Sequence, residues 1–342
     1  MKCAIFTYGK FAKEYGGQCD LLAKGLIKNK ISPIRLATKK NNSILKYLFY
    51  ILGLRSGFMF TGFGYKSELP KNLIDARVII SFAQILPWNL FFYSFFKKKR
   101  VIYWNDMPID KVAKIYVSNL IWQKLIIFIG YIQKFFLNHK IIATNYYQFR
   151  NLKKVSIVPR IIDDCFYNKL NNKISTKKKF SLILIGNDFE RKKFSEIIVL
   201  INQLFLEMNL KINTYVIGKS KDKLKLDSFN RVNLLGKKNK KDLSKFLKKL
   251  NLFFTVSISE KEGAPITLLE VQAANGFSLC SIKNGGKEYV PVECTFEGKT
   301  NLKKIVKKIV NSRKFRSYLK KKSFMSVQKN KAKNIASEII KY

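Results

Sequence analysis

Short apolar runs alternate with longer segments of helical spacing along the first half of the chain. Between the runs, Gln18–Lys28 and a region from about Lys111 to Asn138 place apolar residues three and four positions apart, the period of an amphipathic helix. Strands that alternate with helices predict a mostly parallel sheet with helices on both faces. The predicted strands are Lys2–Tyr8, Arg77–Phe82, Arg100–Trp104, Lys140–Thr144 and Val155–Val158.

The same alternation starts again after a polar, lysine-rich stretch, Asn168–Lys179. Three of the later strands end at a glycine, namely Gly186, Gly218 and Gly236. Both halves are therefore typical of Rossmann-like units, in which ligands bind beyond the carboxyl ends of the strands. The predicted strands are Phe180–Ile185, Lys211–Ile217, Arg231–Leu235, Phe253–Ser257 and Phe277–Ile282, and the predicted helices are Ser195–Asn209, Lys240–Leu250 and Ile266–Ala274.

The length of the chain also favours two domains, because 342 residues exceed what one hydrophobic core usually holds. We predict a Rossmann-like domain over residues 1–167, a second over 168–325, and a C-terminal helix over 326–342 that packs back toward the first domain. Two such domains that face each other would place a ligand in the cleft between them. The tail from Asn301 has an apolar stripe that should pack on the protein and a basic face for solvent or lipid phosphates.

The chain is strongly basic, with 66 Lys and Arg against 22 acidic residues and a formal net charge of +44. Such a charge attracts anionic partners, which leaves nucleic acid, an anionic membrane leaflet and phosphorylated small molecules as candidates. A compositional bias toward Lys, Asn and Ile explains the charge equally well. The sequence alone leaves both explanations open.

Metal chemistry and secretion are both disfavoured by the cysteine and histidine content. The single histidine, His139, precedes a predicted strand and is expected to be structural. No Cys-x-x-Cys pair exists, so a zinc enzyme is not expected. No signal-like start is visible, and we expect a reducing cytoplasm. The scattered cysteines are Cys3, Cys19, Cys165, Cys280 and Cys294.

Two apolar segments, Ile44–Tyr65 and Leu120–Leu137, resemble membrane spans but are interrupted by polar and basic residues. The uninterrupted apolar part of the second is too short to cross a bilayer, which takes about 20 residues. Each is predicted to be either an amphipathic helix resting on a core or a helix that lies in a membrane interface beside basic residues.

The most specific chemical feature is a pair of carboxylates, Glu262 and Glu270, between a predicted strand and a predicted helix. Pro265 suits the first turn of a helix, so Gly263 to Ile266 would present free backbone amides, and a helix N-terminus stabilises an anion. The carboxylates could then accept hydrogen bonds from sugar and ribose hydroxyls. The alternative is an ordinary helix start with a solvated Glu270.

This block resembles a motif of the retaining GT-B glycosyltransferases of family four, also called group 1. Glu262-Gly263 through Glu270 and Gln272-Ala273-Ala274 is similar to the pattern E-G-x-P-x-x-x-x-E-A-Q-A, and Ser259 ahead of it also matches. The resemblance spans nearly the whole chain. Its other parts are Ile185-Gly186 with Arg191-Lys192, Val216-Ile217-Gly218, Leu235-Gly236, Gly285-Gly286 with Glu288, Gly16-Gly17, Ile141-Ile142-Ala143 and Val158-Pro159 to Asp163.

The resemblance implies a GT-B fold in which the N-terminal domain binds the acceptor and the C-terminal domain binds a nucleotide sugar. It implies that Glu262 and Lys192 are catalytic, with Glu262 on the donor sugar and Lys192 neutralising the diphosphate beside Arg191. Glu270 would hold the ribose hydroxyls. Neither a metal nor a cofactor is implied, since the nucleotide sugar is a co-substrate. The further substrate-binding residues implied are Gly16, Gly17, Gly263, Ala264, Pro265, Ile266, Asn105 and Asp106.

The implied activity is transfer of a sugar, with retention of configuration, to an envelope glycan or lipid-linked acceptor in polysaccharide or lipopolysaccharide biosynthesis. An enzyme of this kind would be cytoplasmic and peripheral on the inner face of the cell membrane, with an anionic membrane surface as a partner. No specific nucleic-acid partner is expected, because no zinc-finger, RRM or helix-turn-helix signature is present.

Three departures from the family pattern leave alternatives open. Asn187 stands where a basic residue is common, Lys193 where a glycine is usual, and Asn105-Asp106 where His-Asp is common. A glycosyltransferase-like scaffold that has lost catalysis is therefore one alternative. The strong basic charge separately leaves a nucleic-acid-binding protein as another. Asp106 is either an acceptor contact or an aspartate that caps a turn.

Overall fold

The computed structural model describes residues 2–7, 17–36, 38–40, 65–105, 108–117, 119–149, 155–167, 180–219, 232–263 and 265–342. The chain divides into two compact units: Met1–Ile161 together with Ala332–Tyr342, and Ile162–Lys331. Each unit contains its own parallel six-stranded sheet with helices. The prediction of an α/β fold with two Rossmann-like domains is confirmed. Residues 41–64, which hold most of the first candidate membrane segment, and the predicted linker 168–179 lie outside the described residues.

Strands and helices alternate along most of the chain. The strands, in chain order, are β1 (Lys2–Phe6), β2 (Ser32–Leu36), β3 (Thr38–Lys40), β4 (Tyr65–Ser67), β5 (Ala76–Ser81), β6 (Arg100–Asn105), β7 (His139–Ala143), β8 (Ser156–Ile157), β9 (Phe180–Ile185), β10 (Ile212–Ile217), β11 (Val232–Leu234), β12 (Leu252–Ser257), β13 (Phe277–Ser281) and β14 (Thr295–Phe296). The helices are α1 (Gln18–Lys28), α2 (Trp88–Phe96), α3 (Ile109–Tyr116), α4 (Leu120–Phe136), α5 (Tyr146–Phe149), α6 (Phe194–Leu206), α7 (Lys240–Lys249), α8 (Ile266–Ala273), α9 (Gly298–Asn311), α10 (Arg313–Ser326) and α11 (Ala332–Ile340).

The sheet of the first unit runs in the order β2-β1-β5-β6-β7-β8, and every neighbouring pair is parallel. Apolar residues are buried on both faces. One face packs against α1 and α11, with Leu22 and Ala336 fully buried, and the other packs against α2 through Leu90. The last helix of the chain thus belongs to the first unit, where α11 lies directly on α1.

The region predicted as helical from Lys111 to Asn138 is two helices rather than one. α3 ends at Tyr116 and α4 begins at Leu120. The side-chain oxygen of Asn119 accepts hydrogen bonds from the backbone N–H groups of Ile121 and Trp122, at 2.9 and 3.3 Å. Asn119 therefore caps a new helix, as an N-terminal asparagine commonly does. No helix among the described residues is long and apolar enough to cross a membrane.

The sheet of the second unit runs in the order β11-β10-β9-β12-β13-β14 and is also parallel throughout. Phenylalanines fill its core on the side of α6 and α9, and Leu247 and Leu269 pack on the other side with α7 and α8. The strand order reverses between β9 and β12. In open parallel sheets this reversal separates the loops that follow the two strands and opens a crevice for a ligand.

Candidate active site

The catalytic pair implied by the sequence resemblance meets at this reversal point. Lys192 follows β9, and Glu262 follows β12, seventy positions away in the sequence. The Lys192 ammonium forms an ion pair with the Oε1 atom of Glu262. Their side chains are only 12% and 8% exposed, so water screens the pair little. The structure therefore brings both residues into one partly buried site.

A glycine makes room for the Lys192 side chain. A Cβ atom added at Gly186 would lie 2.5 Å from both the Cδ and Cε atoms of Lys192. The aliphatic part of the lysine thus crosses directly over the backbone at the end of β9. This contact gives a physical reason for the spacing of glycine and lysine in the sequence.

Arg191 links the loop after β9 to the loop after β12. Its Nη1 atom lies 3.9 Å from Glu262 Oε1 and donates to the carbonyl oxygen of Lys261 at 3.5 Å. The carboxylate of Asp188 accepts a hydrogen bond from the Nε atom of Arg191 at 3.1 Å and so fixes the position of the guanidinium. Two cationic side chains therefore lie beside one carboxylate.

Two residues that the sequence reasoning missed hold Glu262 in place. Ser257, the last residue of β12, donates from Oγ to Glu262 Oε2 at 2.9 Å. Asn284 is fully buried and donates from Nδ2 to Ser257 Oγ at 2.8 Å and to the carbonyl oxygen of Ser259 at 2.6 Å, while its Oδ1 accepts from the N–H of Gly286 at 2.7 Å. Both oxygens of the Glu262 carboxylate thus have partners.

The loop that carries Glu262 packs closely on the Gly285-Gly286 turn. The N–H of Gly285 donates to the carbonyl oxygen of Glu262 at 3.2 Å. A Cβ atom at Gly285 would overlap the carbonyl oxygen of Gly263. Pro265 then precedes α8, which begins at Ile266. The first-turn amides of α8 are outside the helical hydrogen-bond ladder and point toward the start of the helix.

Glu270 lies one turn into α8 and is 5% exposed, so it is buried rather than solvated. It is close enough to the 163–166 turn to act electrostatically on Cys165. Burial raises the pKa of the Cys165 thiol to about 12, and the charges of Asp163 and Glu270 add to the effect. Burial therefore contradicts the alternative of a solvated Glu270 at an ordinary helix start.

The two departures from the family pattern near β9 have local explanations. Lys193 has φ 58° and ψ 40°, the left-handed conformation that a glycine adopts easily, and caps the start of α6. Asn187 accepts through Oδ1 from the N–H of Lys219 at 3.1 Å and so joins the loops after β9 and β10. The backbone therefore keeps the glycine geometry although the side chain differs.

Two of the implied substrate-binding residues are placed in the first unit. Gly17 directly precedes α1 with φ 76°, and Asn105 ends β6. Asn105 is 6% exposed, and its Nδ2 has no hydrogen-bond partner among the described residues. His139 begins β7, at the opposite end of the sheet, where its Nδ1 lies 3.2 Å from the carbonyl oxygen of Leu137. The remaining implied residues Gly16, Asp106 and Ala264 lie outside the described residues.

Carboxylates, cysteines and the histidine are the side chains that could bind a metal ion. In the part of the chain that the structure describes, no three or more of these residues cluster in a way that could hold one. Cys280 is close to Glu262, and burial together with the charge of that carboxylate holds the pKa of its thiol well above the usual range.

A family profile matches most of the second unit. Residues 168–324 match the profile of the family described as glycosyl transferases group 1. This match covers a little under half of the chain and contains Lys192, Glu262 and Glu270. No curated protein matches the sequence significantly.

Solved structures share the fold over nearly the whole chain. WaaG, a glycosyltransferase involved in lipopolysaccharide biosynthesis, gives a TM-score of 0.61 at 13% identity and covers 99% of this chain and 98% of its own. HepE from Anabaena, in complex with UDP-glucose, gives 0.68 at 11% identity over 100% and 98%. Sucrose-phosphate synthase from Thermosynechococcus elongatus gives 0.69 at 13% identity over 99% and 97%. The chain therefore has the two-domain fold of GT-B glycosyltransferases.

Proposed function

We propose that this protein is a glycosyltransferase that transfers a sugar from a nucleotide-sugar donor to a glycan or lipid-linked acceptor. One observation carries the proposal. Lys192 and Glu262 pair at the reversal point of a parallel sheet, inside the segment that matches the glycosyl transferases group 1 profile. In such sheets the reversal point is where nucleotide ligands bind.

The diphosphate of the donor is the ligand that best fits the cations of the site. We infer that Lys192 and Arg191 neutralise the charge that develops on the nucleoside diphosphate as it leaves. The amides at the start of α8, near Gly263, Pro265 and Ile266, add donors for the sugar and the phosphate. Cationic side chains provide the charge stabilisation in this account, so the proposed reaction needs neither a metal nor a cofactor.

The two carboxylates of the site suit the hydroxyl groups of the donor. Glu262 is held on both oxygens by Lys192 and Ser257, so little reorganisation is needed to present it to sugar hydroxyls. Glu270 is buried in α8 and would accept from the ribose hydroxyls. The role of both residues is positioning and charge stabilisation, without a covalent intermediate on the protein.

Retention of configuration is part of the proposal and rests on the resemblance to family four. Members of that family generally retain the anomeric configuration and are thought to react on the front face of the donor. In that mechanism the leaving phosphate assists the attacking hydroxyl, and the protein holds both in position. Lys192 and Arg191 would stabilise the phosphate throughout.

The acceptor and the location are proposed from three supports. Two relatives in the structural comparison, WaaG and the outer core galactosyltransferase WaaB, act in lipopolysaccharide synthesis or on its core. The chain has a net charge of +44, which suits an anionic membrane surface. The buried Nδ2 atom of Asn105, which has no hydrogen-bond partner among the described residues, offers a donor for an acceptor hydroxyl. We infer a cytoplasmic enzyme, peripheral on the inner face of the membrane, that builds an envelope glycan.

Turnover of a panel of nucleotide sugars tests the proposal. We expect the wild-type chain to hydrolyse or transfer at least one donor, and Lys192→Met to lower that rate by about 100-fold or more, as loss of a charge-stabilising group does. Lys241→Met, which removes an exposed charge at the start of α7, is the matched control and should keep full activity. If the wild type neither hydrolyses nor transfers any donor, a glycosyltransferase-like scaffold that has lost catalysis is favoured instead.

A further inference from the structure

The solvent side of α4 is apolar. Ile121, Lys124, Phe128, Tyr131 and Phe135 follow one another at spacings of three and four residues, which places them on one helix face. Ile121 is 74% exposed and Phe135 is 82% exposed. The side of α4 that faces the protein includes the buried polar residues Gln133 and Lys134. This arrangement departs from the usual pattern, in which the exposed side of a helix that rests on a core is polar.

Exposed rings of α2 extend this apolar surface. Phe92, Phe95 and Phe96 are 48%, 41% and 72% exposed. Phe95 contacts Phe96 at 5.3 Å and Phe136 of α4 at 6.0 Å between ring centroids, and Phe136 contacts Phe135 at 5.2 Å. The rings of Phe92, Phe95, Phe96, Phe135 and Phe136 form one continuous surface, which we call the aromatic face. A contiguous exposed apolar surface of this kind marks an interaction site.

Basic residues border the aromatic face. Lys97, Lys98 and Arg100 follow α2 and are exposed, and Lys124 lies within the apolar stripe of α4. Neither the sequence 86–105 nor the sequence 117–149 contains an aspartate or a glutamate. The partner of this surface must therefore provide an apolar environment for the rings and negative charge for the basic residues.

An anionic bilayer fits both requirements better than a second copy of the chain. In a symmetric dimer through this face the same lysines of both copies would meet, and each copy carries a net charge of +44. Phenylalanine rings enter the boundary between headgroups and acyl chains, and lysines beside them pair with lipid phosphates. We propose that the aromatic face is the membrane-docking surface of this protein and takes an anionic lipid bilayer as its partner. The inference deepens the proposed function, on whose action at a membrane it rests, by specifying the surface that meets the lipid.

Vesicle binding by the full chain tests the aromatic part of the proposal. The probes are vesicles of phosphatidylcholine alone and vesicles that contain phosphatidylglycerol. We expect the wild type to co-sediment with the anionic vesicles. The double variant Phe96→Ser/Phe135→Ser should partition into them about tenfold or more weakly, because two aromatic rings are no longer transferred from water into the lipid. The matched control, Leu206→Ser/Val292→Ser, removes two exposed apolar side chains of the second unit and should bind as the wild type does.

A pair of charge reversals tests the role of the basic residues beside the aromatic face. Lys97→Glu/Lys98→Glu should weaken binding to anionic vesicles strongly, and more so at low salt, where electrostatic attraction is least screened. Lys248→Glu/Lys249→Glu changes the net charge by the same amount on exposed positions of α7 and is expected to weaken binding much less. Equal effects of the two pairs would mean that overall charge alone drives binding, which overturns a specific docking surface.

Donor affinity, measured by calorimetry on the same variants, separates this inference from the proposed function. We expect Phe96→Ser/Phe135→Ser to bind nucleotide sugars as the wild type does, because its substitutions lie in the first unit and outside the donor site. If the double variant binds anionic vesicles as the wild type does, or if the wild type does not bind them, the docking surface is overturned. The proposed donor site is not affected by either result. Vesicle binding with the expected pattern and no donor affinity would contradict the proposed enzyme instead. Should the double variant lose its thermal transition, Phe92→Ser/Phe136→Ser provides the same test at other exposed positions of the aromatic face.

Discussion

At the scale of single residues, the site depends on how firmly the protein itself holds the Glu262 carboxylate. Lys192 engages one oxygen and Ser257 the other, and Asn284 fixes Ser257 from behind. A side chain held in this way presents its charge without reorganisation at the moment of reaction. Asn284 therefore acts as a positioning residue, because it acts on Glu262 only through Ser257 and the backbone.

Replacement of Asn284 tests this positioning role. Asn284→Ala should lower the free energy of unfolding by about 1–3 kcal/mol, since Ser257 and the carbonyl of Ser259 lose a buried partner. It should also weaken donor binding measured by calorimetry. Ser278→Ala is the control, because Ser278 is equally buried and donates to the carbonyl oxygen of Leu268 at 2.7 Å but lies at the amino end of β13. If both variants lose donor affinity equally, Asn284 has only a structural role.

The buried ammonium of Lys134 makes the stability of the protein depend on pH. Lys134 is 7% exposed, and burial lowers the pKa of its ammonium from 10.5 to about 8, against the charge of Asp110. The unfolded chain therefore keeps a proton that the folded chain gives up between about pH 8 and pH 10.5. The free energy of unfolding contributed by this group must rise with pH across that window.

Lys134→Met should accordingly stabilise the protein at pH 7, by at most roughly 3–4 kcal/mol, because folding lowers the pKa of Lys134 from 10.5 to about 8. The gain should shrink as the pH rises from about 8 toward 10.5, because the wild-type lysine is then neutral in the folded state. Denaturant unfolding of both proteins at pH 7 and pH 9.5 measures the difference. Lys124→Met on the exposed side of the same helix should change little, and a gain for Lys134→Met that grows with pH would refute the account.

The sequence predicted the residues of the site that belong to a family motif. It did not predict the residues that hold Glu262 in position. Lys192, Glu262 and Glu270 follow from the resemblance to family four. Asn284 precedes two glycines and so has the pattern of an ordinary turn residue. Its contact with Ser257 joins positions 27 residues apart, and no periodicity reports such a pair.

At the scale of elements, the loop after β12 and the Gly285-Gly286 turn must approach each other closely to place Glu262. Gly285→Ala should disrupt this contact, because the added Cβ would overlap the backbone of Gly263, which cannot move as a flexible side chain can. We expect loss of both stability and donor affinity. Gly236→Ala has no clash within 4 Å and only a left-handed φ of 64° to overcome, so its cost should be about 1–2 kcal/mol. Thermal unfolding and calorimetry of the two variants compare them, and equal losses would contradict the close approach.

The sequence pattern located most elements but could not decide how each is used. β2 was missed because Pro33 disfavours a strand, yet β2 lies at the edge of its sheet, where proline is tolerated. α2 was missed because its run of aromatic residues lacks a polar side and therefore has no helical period. α4 was predicted, but apolar residues occur all round it, so the spacing could not show that Phe128 and Phe135 face solvent.

At the scale of the whole molecule, each unit has a parallel six-stranded sheet whose strand order reverses beside its first strand, after one further strand in the first unit and after two in the second. The second unit holds the clustered carboxylates and cations of the proposed donor site. The first unit holds Gly17, Asn105 and the aromatic face. The net charge of +44 was visible in the sequence, but only the structure shows that exposed rings and exposed lysines lie together on α2 and α4.

Calorimetric titration of the full chain with a panel of nucleotide sugars shows whether a donor binds at the reversal point of the second sheet. At least one donor is expected to bind to the wild type and to bind about tenfold or more weakly to Lys192→Met, a difference of about 1.4 kcal/mol. Glu270→Gln should lower the affinity for the same donor, because the carboxylate that accepts from its ribose hydroxyls is lost. Equal donor affinity in the wild type and Lys192→Met, or no affinity for any nucleotide sugar, would contradict a donor site at the reversal point of the second sheet.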